Sequence, residues 1–438
     1  MVTAPPLPET PLPETPRPET PVAGSERLVA LDLIRGIAVL GILLANVTGF
    51  AHPDLAYYWP GALPGGGNRA DSWVWLAQFV VVDGKLRALF TLLFGAGLVM
   101  FVDRKGGGQR AVLLQARRLG WLLLFGLMHF VLLFNGDILF SYALAGLVCL
   151  LALRMAGEKL VALGLVWLVV AGVFQALAYA TPAVIEAGVE AGAGGPHAGI
   201  YRDLWGKELA DAARQAQVLA LGSYADVLRY RVLEEGHMLA SYVRWCFFET
   251  IPLMLLGMGL YRCGLFSTPQ PGEGEPRWRW GAVAAVVLGL ALNLASGLYV
   301  MAQGFAPYLT MAVFFGTGAL TNLPLIVGGT ALLARWAARP HTGWLAQRLR
   351  QAGRMAFSNY IATSVLMVII FHGWAGGLFG TLHRLDMLLV VALGWAMMLS
   401  FSRLWLSRFR YGPLEWLWRC LTYGQRFPNR LPLEQQID

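Results

Sequence analysis

Cysteine is scarce in this chain. The four residues, Cys149, Cys246, Cys263 and Cys420, stand in no paired or ligand-like spacing and read as small apolar packing groups. No CxxC, HExxH, Walker loop or dinucleotide fingerprint occurs, so a metal hydrolase, a nucleotide-driven pump or a redox enzyme finds no support in motifs. Gly106-Gly107-Gly108 is a loop rather than a phosphate cradle, because no GK[ST] follows it. Charge is sparse too, at 14% of residues, which leaves too little polar surface for a soluble protein of 438 residues. Residues 1–26 lack the basic and apolar regions of a signal peptide, so the first long apolar segment is expected to be retained as a helix. They contain LPETP, LPETP and RPETP in tandem from Leu7 to Pro21, a Pro-rich stretch that cannot bury a core and is expected to be disordered.

Long apolar runs are abundant. The chain is 57% hydrophobic, and the runs recur near the roughly 20 residues that a membrane-spanning helix requires. The expected fold is an all-α, polytopic integral membrane bundle. Ten spans are predicted, at 31–50, 73–102, 119–134, 138–153, 160–180, 241–262, 280–300, 309–336, 355–373 and 385–406. Basic residues cluster on alternate sides, with Arg104, Lys105, Arg110, Arg117 and Arg118 in one group and Arg335, Arg339, Arg348, Arg350 and Arg354 in another, while Arg69 and Arg384 fall in the opposite set. By the positive-inside rule this predicts both termini inside, in a bacterial cytoplasmic (inner) membrane. Topology and anionic lipid account for the net charge of +8, and nothing calls for nucleic acid. The organisation expected is a tail at 1–26, one transmembrane domain at 27–423 with an extracytoplasmic insertion at 181–240, and a cytoplasmic tail at 424–438.

The first apolar segment is not a plain anchor. Asp32, Arg35 and Asn46 fall close to one helical face, with Arg35 and Asn46 about 20° apart in projection and about 16 Å apart along the axis. A charged group near mid-bilayer costs about 3 kcal/mol on insertion scales, so such a stripe is expected to face a cavity or a protein interior. Alternatively, Asp32 and Arg35 form a snorkelling pair at the boundary and Asn46 joins two helices. The segment Asp71 to Met100 is too long for one untilted crossing and is interrupted by Asp83, Gly84, Lys85 and Arg87, which predicts a broken or re-entrant helix. Gly126 to Leu147 predicts a helical hairpin turning at Asn135-Gly136-Asp137, with Asp137 capping the second helix. His129, inside the apolar run, is the best general-base candidate; on a continuous helix it would not share a face with Asp137, so no direct pairing is inferred. Gly412 to Arg419 predicts an interfacial helix starting at Pro413, with Glu415 in its first turn.

The strings ALDLIRGIAVLGILLANV (30–47), GKLRALFTLLFGAG (84–97), LMHFVLLFNGDILFSYALAGL (127–147), GRMAFSNY (353–360) and GPLEWLWRCLTY (412–423) resemble the YeiB-like family of bacterial membrane proteins. That family carries a domain of unknown function toward its C-terminal end, here about 240–423. The first-helix pattern Asp32, Arg35, Gly36 and Asn46 is also similar to the heparan-α-glucosaminide acetyltransferases, which stand with the acyltransferase-three proteins in a transmembrane acyltransferase superfamily. This similarity implies transfer of an acyl group from cytoplasmic acyl-CoA or acetyl-CoA to a glycan, lipid or small-molecule acceptor. It implies a reaction centre at Asn46 and a following His; His52 is the first, although the spacing differs from the superfamily pattern.

Acyl transfer needs a base, an oxyanion donor and cations for the coenzyme phosphates. His129 or His52 would be the base and Asn46 the oxyanion donor, with Asp32, Arg35 and Asp137 beside them. Lys85, Arg87, Arg117 and Arg118 would meet the coenzyme. No metal is expected. Membrane lipids are expected partners, and an oligomer is compatible with the sequence. A lipid or small-molecule carrier or flippase, or a noncatalytic scaffold or sensor, is the alternative reading.

Overall fold

The computed structural model describes residues 29–192, 196–266, 277–339 and 341–432; the Pro-rich repeat and residues 433–438 lie outside that range. Among the described residues every regular element is helical, and the one strand-like contact is an isolated bridge between Phe409 and Arg430. Eight helices among the described residues are long and apolar enough to cross a membrane. Trp344–Arg354 and Ala356–Phe371, bent by 86° at Met355, make a ninth if counted together.

Helix α1 (Val29–Ala51) lies in the middle of the bundle and is largely buried, whereas Trp278–Ala302 presents most of its surface outward. Burial of a helix carrying Asp32 and Arg35 follows from the cost of turning those groups to lipid. Small residues let its neighbours approach. A Cβ on Gly36 would strike the carbonyl of Leu349, and one on Gly353 would strike the carbonyl of Asp32, so α1 and Trp344–Arg354 pack backbone to backbone.

The polar interruption of the second run is a true break. Helix α2 (Arg69–Val81) ends, Gly84 takes φ 77°, and α3 (Lys85–Arg104) resumes the same crossing, so the two halves form one interrupted 36-residue span rather than a re-entrant loop.

Helix α4 (Gln109–Leu132) turns through Asn135 to Asp137 into α5 (Leu139–Cys149), which continues as one tighter turn to Ala152. The expected tenth span, 138–153, is therefore shorter than an ordinary crossing. Its end is held beside two longer helices: Arg262 donates to the carbonyls of Leu153, at 2.6 Å, and Met155, and lies 3.6 Å from Asp103. Asn135 and Asp137, in the turn that starts this short helix, are both buried.

Helix α6 (Gly157–Glu190) outruns its expected span and continues into the segment that holds α7 (Pro196–Leu221) and α8 (Tyr224–Leu233). Helix α9 (Met238–Arg262) passes through a π turn at Cys246–Thr250. Crossings at Trp278–Ala302, Pro307–Ala337 and Arg384–Leu406 follow, and Pro413–Tyr423 begins at Pro413 as its sequence predicts.

Candidate functional site

Two cavities of about 410 and 330 Å³ lie in the bundle, and Ile138 and Tyr142 line both. They are chemically unlike. The smaller has Arg35, Arg104, Arg118, Arg354 and Arg419 on its wall, with Glu415 as its only carboxylate, above an apolar floor that includes Val39, Ile42 and Leu98. The larger is lined by Asp54, Asp83, Asp137, Glu208 and Glu249 against a single cation, Arg87. Tyr142 is held in the partition by its hydroxyl, which lies 2.7 Å from Thr91 Oγ1 and donates to the Arg87 carbonyl at 3.1 Å.

Behind the partition sits a buried relay. His129 Nδ1 is 2.8 Å from Asp137 Oδ1, and its Nε2 is 2.9 Å from Ser364 Oγ. The carboxylate can only accept, so Nδ1 carries a proton. With neutral imidazole, the Ser364 hydroxyl donates to Nε2; with imidazolium, Nε2 donates to Ser364, whose hydroxyl turns to the Tyr360 carbonyl 3.0 Å away. Both protonation states therefore keep their hydrogen bonds. Asp137 does two jobs, because its other oxygen accepts from the Phe140 amide at 2.6 Å in the first turn of α5. The pairing of His129 with Asp137, not inferred from a continuous helix, exists because α4 stops at Leu132 and the turn folds Asp137 back.

A second polar cluster closes the far end of the larger cavity. Asn135 Nδ2 donates to Asp54 Oδ2 at 2.8 Å and to Glu235 Oε1 at 3.1 Å, and Gln215 Nε2 donates to Glu235 at 2.9 Å. Burial, and then the neighbouring Asp54 charge, push the Glu235 carboxyl up to about 7; burial also raises Asp54. Local sequence shows nothing of this pair, whose members are remote along the chain.

Residues 260–425 match the family described as "Protein of unknown function (DUF418)". Over 418 residues the chain is 30% identical to "Uncharacterized protein YxaH" of Bacillus subtilis (strain 168), a match covering 91% of this chain and 95% of that one. It is 32% identical over 407 residues to "Uncharacterized protein YeiB" of Escherichia coli (strain K12), covering 91% of this chain and 96% of the relative. The chain belongs to the YeiB-like family. No solved structure matches it.

In this YeiB-like chain the polar stripe of α1 serves both cavities. Arg35 lines the cationic one and pairs with buried Asp32 at 3.4 Å; Asn46 lines the acidic one. The four expected coenzyme contacts do not converge. Arg118 lines the cationic cavity, its guanidinium 4.1 Å from the Trp418 ring, whereas Arg117 is exposed beside Gly424. Arg87 lies across the partition, bound to Glu249 at 2.8 Å and stacked on Trp245. Lys85 lines neither cavity; its Nζ donates to the Phe79 carbonyl and to Asn293 Oδ1 at 3.0 Å, satisfying the backbone freed at the break.

His52 also lines neither cavity. Its Nε2 donates to the Leu382 carbonyl at 2.8 Å, and burial drops its pKa to about 4, so the neutral ring ties a loop to the bundle. Glu415, expected to serve its own helix, instead reaches Phe357 and Ser358 at the start of another.

Proposed function

We propose that this chain is a transmembrane acyltransferase of the bacterial inner membrane, with both termini inside, that takes an acyl group from acyl-CoA or acetyl-CoA in the cationic cavity and passes it to an acceptor in the acidic one. The observation supporting this reading is the shared wall: cavities of opposite charge abut at Ile138 and Tyr142, with His129 and Asp137 beside the junction. The arginines match the phosphates of a coenzyme, and the apolar floor suits an acyl chain.

Asp137 is the member of the relay that reaches the acceptor cavity, and His129 stands behind it. The acceptor hydroxyl or amine attacks the thioester carbonyl and gives its proton to the Asp137 carboxylate, which the Nδ1–H of His129 orients and whose charge it supports. A new C–O or C–N bond forms, the C–S bond breaks, and the proton ends on the departing thiolate. Asn46, whose side chain hydrogen-bonds to no described residue, donates its amide to the oxyanion.

The same pair of cavities also suits a lipid or small-molecule carrier, in which Ile138 and Tyr142 would be the gate rather than the place of reaction. Binding separates neither role, but it tests the donor cavity. Purified protein should bind acyl-CoA with an affinity that weakens as salt rises. Acyl-CoA binding that is absent, or indifferent to salt, would remove the coenzyme from the proposal.

A further inference from the structure

The larger cavity carries a selectivity that the acyl-transfer proposal does not require. Of the five carboxylates on its wall, Glu249 is neutralised by Arg87, Asp137 is engaged by His129, and Asp54 receives a proton donor from Asn135. Glu208 stands exposed at the wall's outer part. Asp83 is different. It is only 5% exposed, lines the cavity at the break between α2 and α3, and has neither a hydrogen bond to its carboxylate nor an ion pair within 4 Å among the described residues.

Two cations, Lys85 and Arg384, act on Asp83 through space, but neither makes a hydrogen bond to it. The Lys85 ammonium binds Phe79 and Asn293, while the Arg384 guanidinium binds Gln78, Ala56 and Tyr57. A buried carboxylate without a donor is costly, and this one stands on the cavity wall. Gln175 makes the same point independently. It is 8% exposed on an otherwise apolar crossing, lines this cavity, and its amide hydrogen-bonds to no described residue. Aromatic residues, among them Tyr57, Phe314 and Phe315, form much of the remaining wall, and the faces of such rings attract cations.

We infer that the larger cavity binds an organic cation carrying an ammonium or guanidinium group, anchored on Asp83, with Gln175 as a second polar contact and the aromatic wall around its apolar part. The claim concerns binding alone and stands whether the bound molecule is acylated or carried. Anions are rejected, because the lining carboxylates outnumber the one arginine, itself already paired.

Three probes of one shape decide the matter: cyclohexylmethylammonium, cyclohexylmethanol and cyclohexanecarboxylate, titrated calorimetrically into the full chain in nanodiscs. The ammonium should bind at least about tenfold more tightly than the alcohol, and the carboxylate not measurably. Asp83→Asn should abolish the preference for the ammonium over the alcohol, and Gln175→Leu should weaken both. Equal affinity for the three probes, a preference for the carboxylate, or no binding by any of them would overturn the inference without need of a variant. Retained ammonium selectivity in a folded Asp83→Asn protein would overturn the anchor. Acyl-CoA binding is measured separately, so failure of the donor cavity leaves this result readable.

Discussion

Glu415 closes the amino end of a helix that is not its own. One oxygen accepts from the amides of Phe357 and Ser358 at 2.9 and 3.1 Å, and the other lies 2.5 Å from Ser358 Oγ. These are the orphan donors at the start of Ala356–Phe371, the helix that carries Tyr360 and Ser364 to His129. Burial raises the Glu415 carboxyl, and the hydrogen bonds oppose that rise. Glu415→Ala should destabilise the protein by about 2 kcal/mol, since it strands buried donors. Thermal unfolding in detergent measures this, and an unchanged midpoint would mean that water replaces the cap without loss.

The close approach of α1 to Trp344–Arg354 gives a sharper contrast. A Cβ on Gly353 would meet backbone atoms of Asp32 and Gly36, whereas one on Gly343 would meet open space. Gly353→Ala should therefore cost about 1–3 kcal/mol through overpacking, with Gly343→Ala near neutral. Equal melting temperatures for the two variants would contradict the backbone-to-backbone packing.

Glu235 sets a pH dependence. Its folded pKa, about 7, lies above its ordinary value of 4.5, so the folded chain holds that proton to higher pH than the unfolded chain does. The stability it contributes is complete below about pH 4.5 and is lost as pH rises through about 7. Asp54 shares the proton donor Asn135 and moves in the same direction, so the two titrate as a pair. Between pH 5 and 8 the wild-type melting temperature should fall more steeply than that of Glu235→Gln. Parallel curves would remove the pair from the stability balance.

The cationic cavity separates two adjacent arginines. Arg118 lines it and Arg117 does not. Arg118→Gln should weaken acyl-CoA binding about tenfold, the loss of one charge-assisted contact, and flatten its salt dependence, while Arg117→Gln should do little. The reverse order would move the coenzyme out of the cavity.

Helical spacing made much of this legible. Apolar run lengths located the crossings, and the 3.6-residue period placed Arg35 and Asn46 on one face. That the face would meet two separate cavities was not legible, because the partition comes from Ile138 and Tyr142 on another hairpin. His129 was visible as a buried titratable group, whereas its partners depend on where α4 ends and on Ser364, far along the chain. Lys85 and Arg87 are two residues apart at the start of α3 but diverge, one into the helix break and the other into a cavity, because two helical positions lie about 200° apart in projection. The Asp54–Glu235 cluster is wholly a product of tertiary packing.

The most direct test of acyl transfer is chain-dependent movement of label from [14C]acetyl-CoA into a product other than coenzyme, assayed in membrane vesicles that supply the native acceptor. The vesicles contain the wild-type chain, Asn46→Ala, His129→Ala, His52→Ala, or no added chain, with insertion verified for each. Label should appear in the wild-type vesicles and fall by roughly a hundredfold in Asn46→Ala, as loss of one oxyanion donor does elsewhere. It should be absent in His129→Ala, with His52→Ala close to wild type. No chain-dependent transfer, or wild-type transfer in both the Asn46 and His129 variants, would contradict the enzyme and leave the carrier.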